Sequence, residues 1–325
     1  MTRHGLTLRH EGHHAPNDRT VFVASVLFAA LVFPVVGSSQ SATPKFDSSR
    51  AYADLQKMVE MGPRPAGSRE LENTRAYIRS ELKKAGLTVQ EQAFDADTPA
   101  GKVHMINLST TVPGRTANKG HIVIGGHYDT KVFHEFRFVG ASDAASSAAF
   151  VLEMARTLKS RQNELPVELL FLDGEEAVCK GWDDCNKPGN EDHTYGSRYY
   201  AQQAAKNGTA KDVKAFILVD MIGAKPLLVH RESYSTKWLT EAVWSAAHKI
   251  DRTEFKDDTF PVEDDHLEFL KVNIPSVDII DLNDYPEWHT AQDDLSHVGA
   301  GSLQAVGDVV LAALPAIEKH ILGDK

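Results

Sequence analysis

"VELLFLDGEEA", residues 167–177, is an apolar run closed by a glycine turn and two adjacent glutamates. A run this short and this apolar, bounded by a turn, reads as a strand inside a sheet covered on both faces. The pattern recurs on either side of it. "HIVIGGHYDT" (121–130) ends its apolar run at His127, and "FILVDMIGA" (216–224) ends its run at Asp220. "SVDII" (276–280) leads into the polar loop "YPEWHT" (285–290), which carries His289, and "GASDAASSA" (140–148) opens a helix with Asp143. Strands alternating with helices imply a three-layer α/β/α sandwich around a mixed, mainly parallel sheet. Open sheets of this kind bind ligands outside the carboxyl ends of their strands. His127, Asp143, Glu175, Glu176, Asp220 and His289 would meet there as an oxygen-and-nitrogen cage suited to zinc.

The remaining periodicity fills in the layers. Residues 50–61 and 69–85 read as helices separated by "GPRPAGS", and 144–158, 195–205, 235–250 and 299–321 read as further helices. The last has Leu303, Val306, Val310, Leu314 and Ile317 as a core stripe, with Pro315 expected to kink it. "LTVQEQAF" and "VHMINLSTTV" alternate like an antiparallel edge.

Composition bounds the function. The chain has 325 residues, 42% hydrophobic and 25% charged, which is ordinary globular composition. No internal linker or repeat divides it, so 43–325 is expected to be one catalytic domain after a leader, 1–42. Within the leader, residues 21–37 are almost wholly apolar and are followed by small residues. This suits an export signal; an uncleaved membrane anchor is the alternative, and the membrane is a partner only in that case. Either way the catalytic part is expected outside the cytoplasm, periplasmic or secreted. The formal net charge is −10; the leader holds three Arg against two acids, which leaves −11 on the remainder. Such a charge disfavours nucleic acid as a partner. The two cysteines, Cys179 and Cys185 in "CKGWDDC", read first as a short-loop disulfide bordering the site, with free thiols or zinc ligands as the alternatives.

The adjacent glutamates divide the chemistry. Neighbouring side chains at a strand end point in different directions, so Glu175 and Glu176 cannot be equivalent ligands. One can hold a metal while the other carries a proton beside the substrate, the division that metal-assisted attack on an amide requires. Asp143 could instead cap its helix, although Ser142 would do this as well. Asp129, two residues past His127, could orient the imidazole ring.

Taken in order, "HYDTK", "FVGASDAA", "LEMARTL", "LLFLDGEEA", "YGSRYYA", "VDMIGA", "VEDDHLEFL" and "PEWHT" resemble the zinc aminopeptidase family with a bacterial-leucyl-aminopeptidase-like fold. Within it they are most similar to animal-type glutaminyl cyclases. The resemblance implies that Asp143, Glu176 and His289 bind the principal zinc and that Glu175 is the general acid/base. It makes Asp220 the carboxylate that cyclases place on the substrate amide and aminopeptidases on a second zinc, with His127 as its companion ligand. Trp288 and Asp264 match cyclase site residues, and Trp182 approximately matches a pocket tryptophan. Asp278 departs from the pattern, standing where animal cyclases have a histidine. The implied reaction converts an N-terminal Gln of peptides or proteins to pyroglutamate with release of ammonia. The alternative is a two-zinc aminopeptidase that hydrolyses N-terminal residues.

Overall fold

The central sheet runs β1-β2-β4-β3-β5-β8. The computed structural model describes residues 44–323, so the leader and its apolar stretch lie outside the described residues. The strands are β1 (Gln90–Thr98), β2 (Gly101–Val112), β3 (His121–His127), β4 (Val167–Leu172), β5 (Val213–Asp220) and β8 (Ser276–Ile280). β4, β3, β5 and β8 pair in parallel, while β1–β2 and β2–β4 pair antiparallel, which is the mixed sheet with an antiparallel edge that the sequence predicts.

The central strands are apolar on both faces, and alternate residues enter two separate cores. Ile122, Ile124, Leu169, Phe171, Ile217 and Val219 face the larger one. It is covered by α1 (Ser48–Glu60), α3 (Ser147–Ser160), α5 (Lys237–Lys249) and α7 (Ala300–Leu322), which bring Leu55, Phe150, Val243 and Leu303. Val123, Leu170, Leu172, Phe216 and Leu218 face the smaller core with Phe269. That residue lies on α6 (His266–Lys271), beside α4 (Tyr195–Asn207). α2 (Arg69–Lys84) packs against α3. The expected stripe on α7 is buried, and the helix continues through Pro315. α7 is the one helix among the described residues long and apolar enough to cross a membrane, and that stripe is used on the core instead.

The small residues of 140–148 have a packing reason. A Cβ on Gly126 would stand 2.8 Å from Ser147 Cβ and 2.6 Å from the Val219 carbonyl oxygen, so glycine lets the start of α3 lie against β3 and β5. Three elements were not legible in the sequence: α6, and the separate parallel pair β6 (Val229–Glu232) and β7 (Phe255–Phe260). They flank β8 and frame one side of the site.

Candidate active site

The parallel strands stop at one edge, and the six donors collect there. His127 is the last residue of β3 and Asp220 the last of β5. β4 ends at Leu172, so the Glu pair sits on the turn beyond it, where Gly174 takes a left-handed φ of 72°. Asp143 lies on a wide turn, Ala141–Ser146, ahead of α3 and is non-helical itself (φ −108°, ψ 86°). Neither Asp143 nor Ser142 caps that helix; instead Asp293 accepts the N–H groups of Ser142 (2.7 Å) and Asp143 (3.1 Å). His289 adopts a positive φ of 54°, uncommon for a residue with a side chain, on the loop after β8.

Two donor clusters result. Asp143, Glu176 and His289 offer atoms within 4.8 Å of one another. His289 Nε2 lies 3.4 Å from Asp143 Oδ2 and 3.5 Å from Glu176 Oε2. Burial disfavours a charged His289, yet the two carboxylates prevail and raise its proton affinity to about 9. That pull marks a place where a cation is wanted. One imidazole and two carboxylates, with further coordination room toward the cavity, fit a catalytic zinc. The second cluster is His127, Asp143 and Asp220: His127 Nε2 lies 3.0 Å from Asp220 Oδ1 and 3.2 Å from Asp143 Oδ1. Asp143 belongs to both, and despite burial its hydrogen bonds from His127 and His289 hold it well below the usual carboxylate range.

The Glu pair does split. Glu176 Oε1 accepts from the Lys131 N–H at 3.0 Å and its other oxygen faces His289. Glu175 turns to the cavity, 3.8 Å from His127 Nδ1. Burial raises its proton affinity well above the ordinary value; His127 opposes this, and the nearby acids Asp264 and Glu176 reinforce it. A carboxyl so placed can accept and return a proton beside a bound substrate. Both glutamate N–H groups bond Asp129, whose Oδ1 also lies 3.4 Å from His127 Nδ1.

The cavity beside these residues has a volume of about 350 Å³. Its floor is Asp143, Glu175, Glu176, Asp220 and His289, and its walls include Trp182, Val262, Asp264, Ile280, Leu282 and Trp288. Trp288 stacks on His289 at 4.1 Å, and the edges of Phe133 and Phe138 meet the same ring at 5.4 Å and 5.8 Å. Asp264 reaches the cavity, but among the described residues only its Oδ1 finds a hydrogen bond, from the Asp265 N–H at 2.5 Å. Asp278 is fully buried, 3.7 Å from His266 Nδ1, with neither oxygen bonded to a donor. No hydrogen bond links Asp278 to Asp264 among the described residues. Cys179 and Cys185 form a disulfide.

Several supports escaped the sequence reading. Asp293 follows a histidine in a polar loop and looks solvated in the sequence, yet it is fully buried and orders the Asp143 turn with help from the Tyr285 hydroxyl (2.8 Å). Buried Arg64 donates to the carbonyls of Val139 (2.8 Å) and Gly140 (3.1 Å) just ahead of that turn. Buried Lys131 donates through Nζ to the carbonyls of Ala177 (2.8 Å) and Cys179 (3.1 Å).

A mainly parallel sheet carrying such a donor set at its carboxyl edge is the zinc-exopeptidase-like fold. The chain belongs to peptidase family M28, whose profile matches residues 107–314. It is 30% identical over 295 residues to the glutaminyl-peptide cyclotransferase-like protein of Mus musculus, covering 80% of this chain and 74% of the relative. Among solved structures it is similar to the glutaminyl cyclase of an Acidobacteriales bacterium, with 33% identity and a TM-score of 0.80 over 87% of this chain and 98% of that one. The Bacteroides thetaiotaomicron glutaminyl cyclase bound to N-acetylhistamine gives 27% identity and a TM-score of 0.74 over 84% and 98%.

Proposed function

We propose that residues 43–325 act as one catalytic unit, a zinc-dependent glutaminyl-peptide cyclotransferase that converts N-terminal Gln to pyroglutamate and ammonia. The observation that carries this reading is the cavity itself. It is walled by Trp182, Trp288, Val262 and Leu282, and Glu175 lies on its floor beside the Asp143–Glu176–His289 cluster. A cavity of this size, open on one side, suits one residue with its amino terminus.

Asp143, Glu176 and His289 hold the zinc, which when bound supplies Lewis-acid polarisation of the γ-amide carbonyl. Glu175 takes a proton from the α-amine as its nitrogen bonds the side-chain Cδ. The same carboxyl returns that proton to the departing amide nitrogen as the Cδ–N bond breaks and ammonia leaves. Asp220 and Asp264 line the cavity and hold the amide nitrogen. Trp288 closes one wall and orders the ring of His289. The substrate brings its own nucleophile, so one zinc suffices and His127 serves to order Asp220 and Asp143.

The His127–Asp143–Asp220 cluster favours a second reading, a two-zinc aminopeptidase in which Asp143 bridges both ions. Incubation with an N-terminal Gln peptide and with leucine anilide separates the two. Ammonia with a pyroglutamyl product supports the cyclase; free amino acid with no pyroglutamyl product overturns it.

A further inference from the structure

The reaction leaves one segment unexplained, the excursion from Ala177 to Thr194. It leaves and returns at the catalytic turn: Thr194 N–H donates to the Glu175 carbonyl at 2.7 Å, and Tyr195 N–H to the Gly174 carbonyl at 2.8 Å. Its base is tied again by Asp192, whose oxygens accept the Cys179 N–H (2.8 Å) and the Tyr195 hydroxyl (2.7 Å). Beyond that tie the chain closes into a ring of residues 179–185 through the disulfide, with a Cα–Cα distance of 6.1 Å. Lys180, Gly181 and Trp182 of this ring line the cavity.

The indole nitrogen of Trp182 has no hydrogen-bond partner among the described residues. Its indole stacks on His193 at 4.0 Å with 14° between planes. Within the ring, the Gly181 N–H donates to Asp184 Oδ2 at 2.8 Å; just outside it, Asn186 donates to Asp183 Oδ1 at 2.7 Å. Neither bond reaches the body of the protein. Glu175 and Glu176 are ordered separately, by Asp129 and by the Lys131 N–H. The base of the excursion shares Lys131 and the catalytic turn with these carboxylates, but Trp182 lies beyond that base, inside the ring that the disulfide closes.

We propose that the Cys179–Cys185 disulfide is a positioning element for substrate binding: it holds Trp182 as a cavity wall and sets KM, without taking part in the chemistry. This rests on the cyclase reading only for the choice of substrate. An open ring would spread Trp182 over many conformations. If about a tenth of the molecules kept the wall in place, apparent substrate affinity would fall about tenfold.

The test compares the full chain with Cys179→Ala/Cys185→Ala, Trp182→Ala and the triple variant, on an N-terminal Gln peptide. Disulfide removal should raise KM about tenfold and leave kcat within about twofold. In the Trp182→Ala background it should add less than about twofold, because both changes remove the same wall. Trp182→Phe should recover part of the affinity lost in Trp182→Ala. An unchanged KM, a fall in kcat alone, or full additivity with Trp182→Ala overturns the proposal. Should the double-cysteine variant not fold, reduction of the folded enzyme with a water-soluble phosphine takes its place, with thiols counted by mass; KM must rise and return on reoxidation, and a KM that does not move overturns the proposal. If the parent enzyme ignores Gln peptides and cleaves leucine anilide, the cyclase reading fails on its own. The same comparison then runs on the anilide, since the ring walls the cavity in either reaction.

Discussion

Asp129 accepts the main-chain N–H of Glu175 at 3.1 Å, through the same oxygen that lies 3.4 Å from His127 Nδ1. One buried carboxylate therefore joins the end of β3 to the turn after β4, and fixes a ring and a glutamate at once. Buried polar groups with shared partners carry more than their pairwise worth. Asp129→Ala should lower kcat/KM by 10- to 100-fold, the range typical of residues that orient a metal site. Steady-state kinetics with zinc content measured on the same sample checks this; loss below twofold would show that the turn orders itself.

The Glu pair makes opposite predictions. Glu175→Gln should cut turnover at least about 10²-fold while zinc stays bound, because a neutral amide cannot shuttle the proton. Glu176→Gln should lose zinc, because one oxygen faces His289 and the other is held by the Lys131 N–H. Metal analysis after dialysis separates the two, and zinc loss from the Glu175 variant would mean that the roles are exchanged.

Chelation should abolish activity, and one zinc per chain should restore it fully if the cyclase reading holds. A requirement for two zinc ions per chain would favour the aminopeptidase instead, with His127 and Asp220 as the added ligands.

Arg64 is fully buried and donates to carbonyls on two segments, Gly62 (3.0 Å) before β1 and Val139 (2.8 Å) before the Asp143 turn. Arg64→Met leaves these acceptors unsatisfied and should destabilise the protein by about 3–5 kcal/mol. Arg64→Lys should not rescue it, since one ammonium cannot reach the Gly140 carbonyl, which Nη2 holds, together with the Gly62 and Val139 carbonyls held by Nη1. Urea denaturation of the three proteins decides this.

Asp281 gives a pH signature away from the metal ligands. It is fully buried at the end of β8, and only one oxygen is bonded, to the Leu228 N–H at 2.9 Å. Burial, against the pull of that N–H and helped by the charge of Asp284, raises its proton affinity to about 6. The unfolded chain gives up this proton near the ordinary carboxyl value. Between these two values the folded state binds more protons, so this residue's contribution to stability falls as pH rises and levels off above about 6. Asp281→Asn keeps an acceptor for Leu228 and removes that slope. It should come close to the parent near about pH 4 and exceed it by about 2–3 kcal/mol near about pH 7. Thermal melts across that range test it; a difference independent of pH would sink the assignment.

Much of the architecture was legible because its signals are local. Unbroken apolar runs such as 122–124 and 169–172 need two covering layers, and the alternation of Val123 and Ile124 between the two cores shows why no polar face appears. β6, β7 and α6 were missed because segments of four to six residues are too short to show a period, and the "FKDD" that opens β7 is charged besides. Their form depends on packing against β8 and β5.

By itself the sequence determined the layers, the order of strands and helices, and which residue types end each strand. An apolar run that stops at a histidine or an aspartate is a property of neighbouring residues, readable without a fold. Only the tertiary structure decided which donors meet. Asp143 Oδ2 and His289 Nε2 are 146 positions apart and lie 3.4 Å from each other, because the wide turn after β3 and the loop after β8 converge over the sheet edge. The same holds for Asp293, polar and unremarked in its loop, which is buried where it accepts the Ser142 and Asp143 amides. Runs and periods specify elements; convergence of distant side chains is set by how the elements pack.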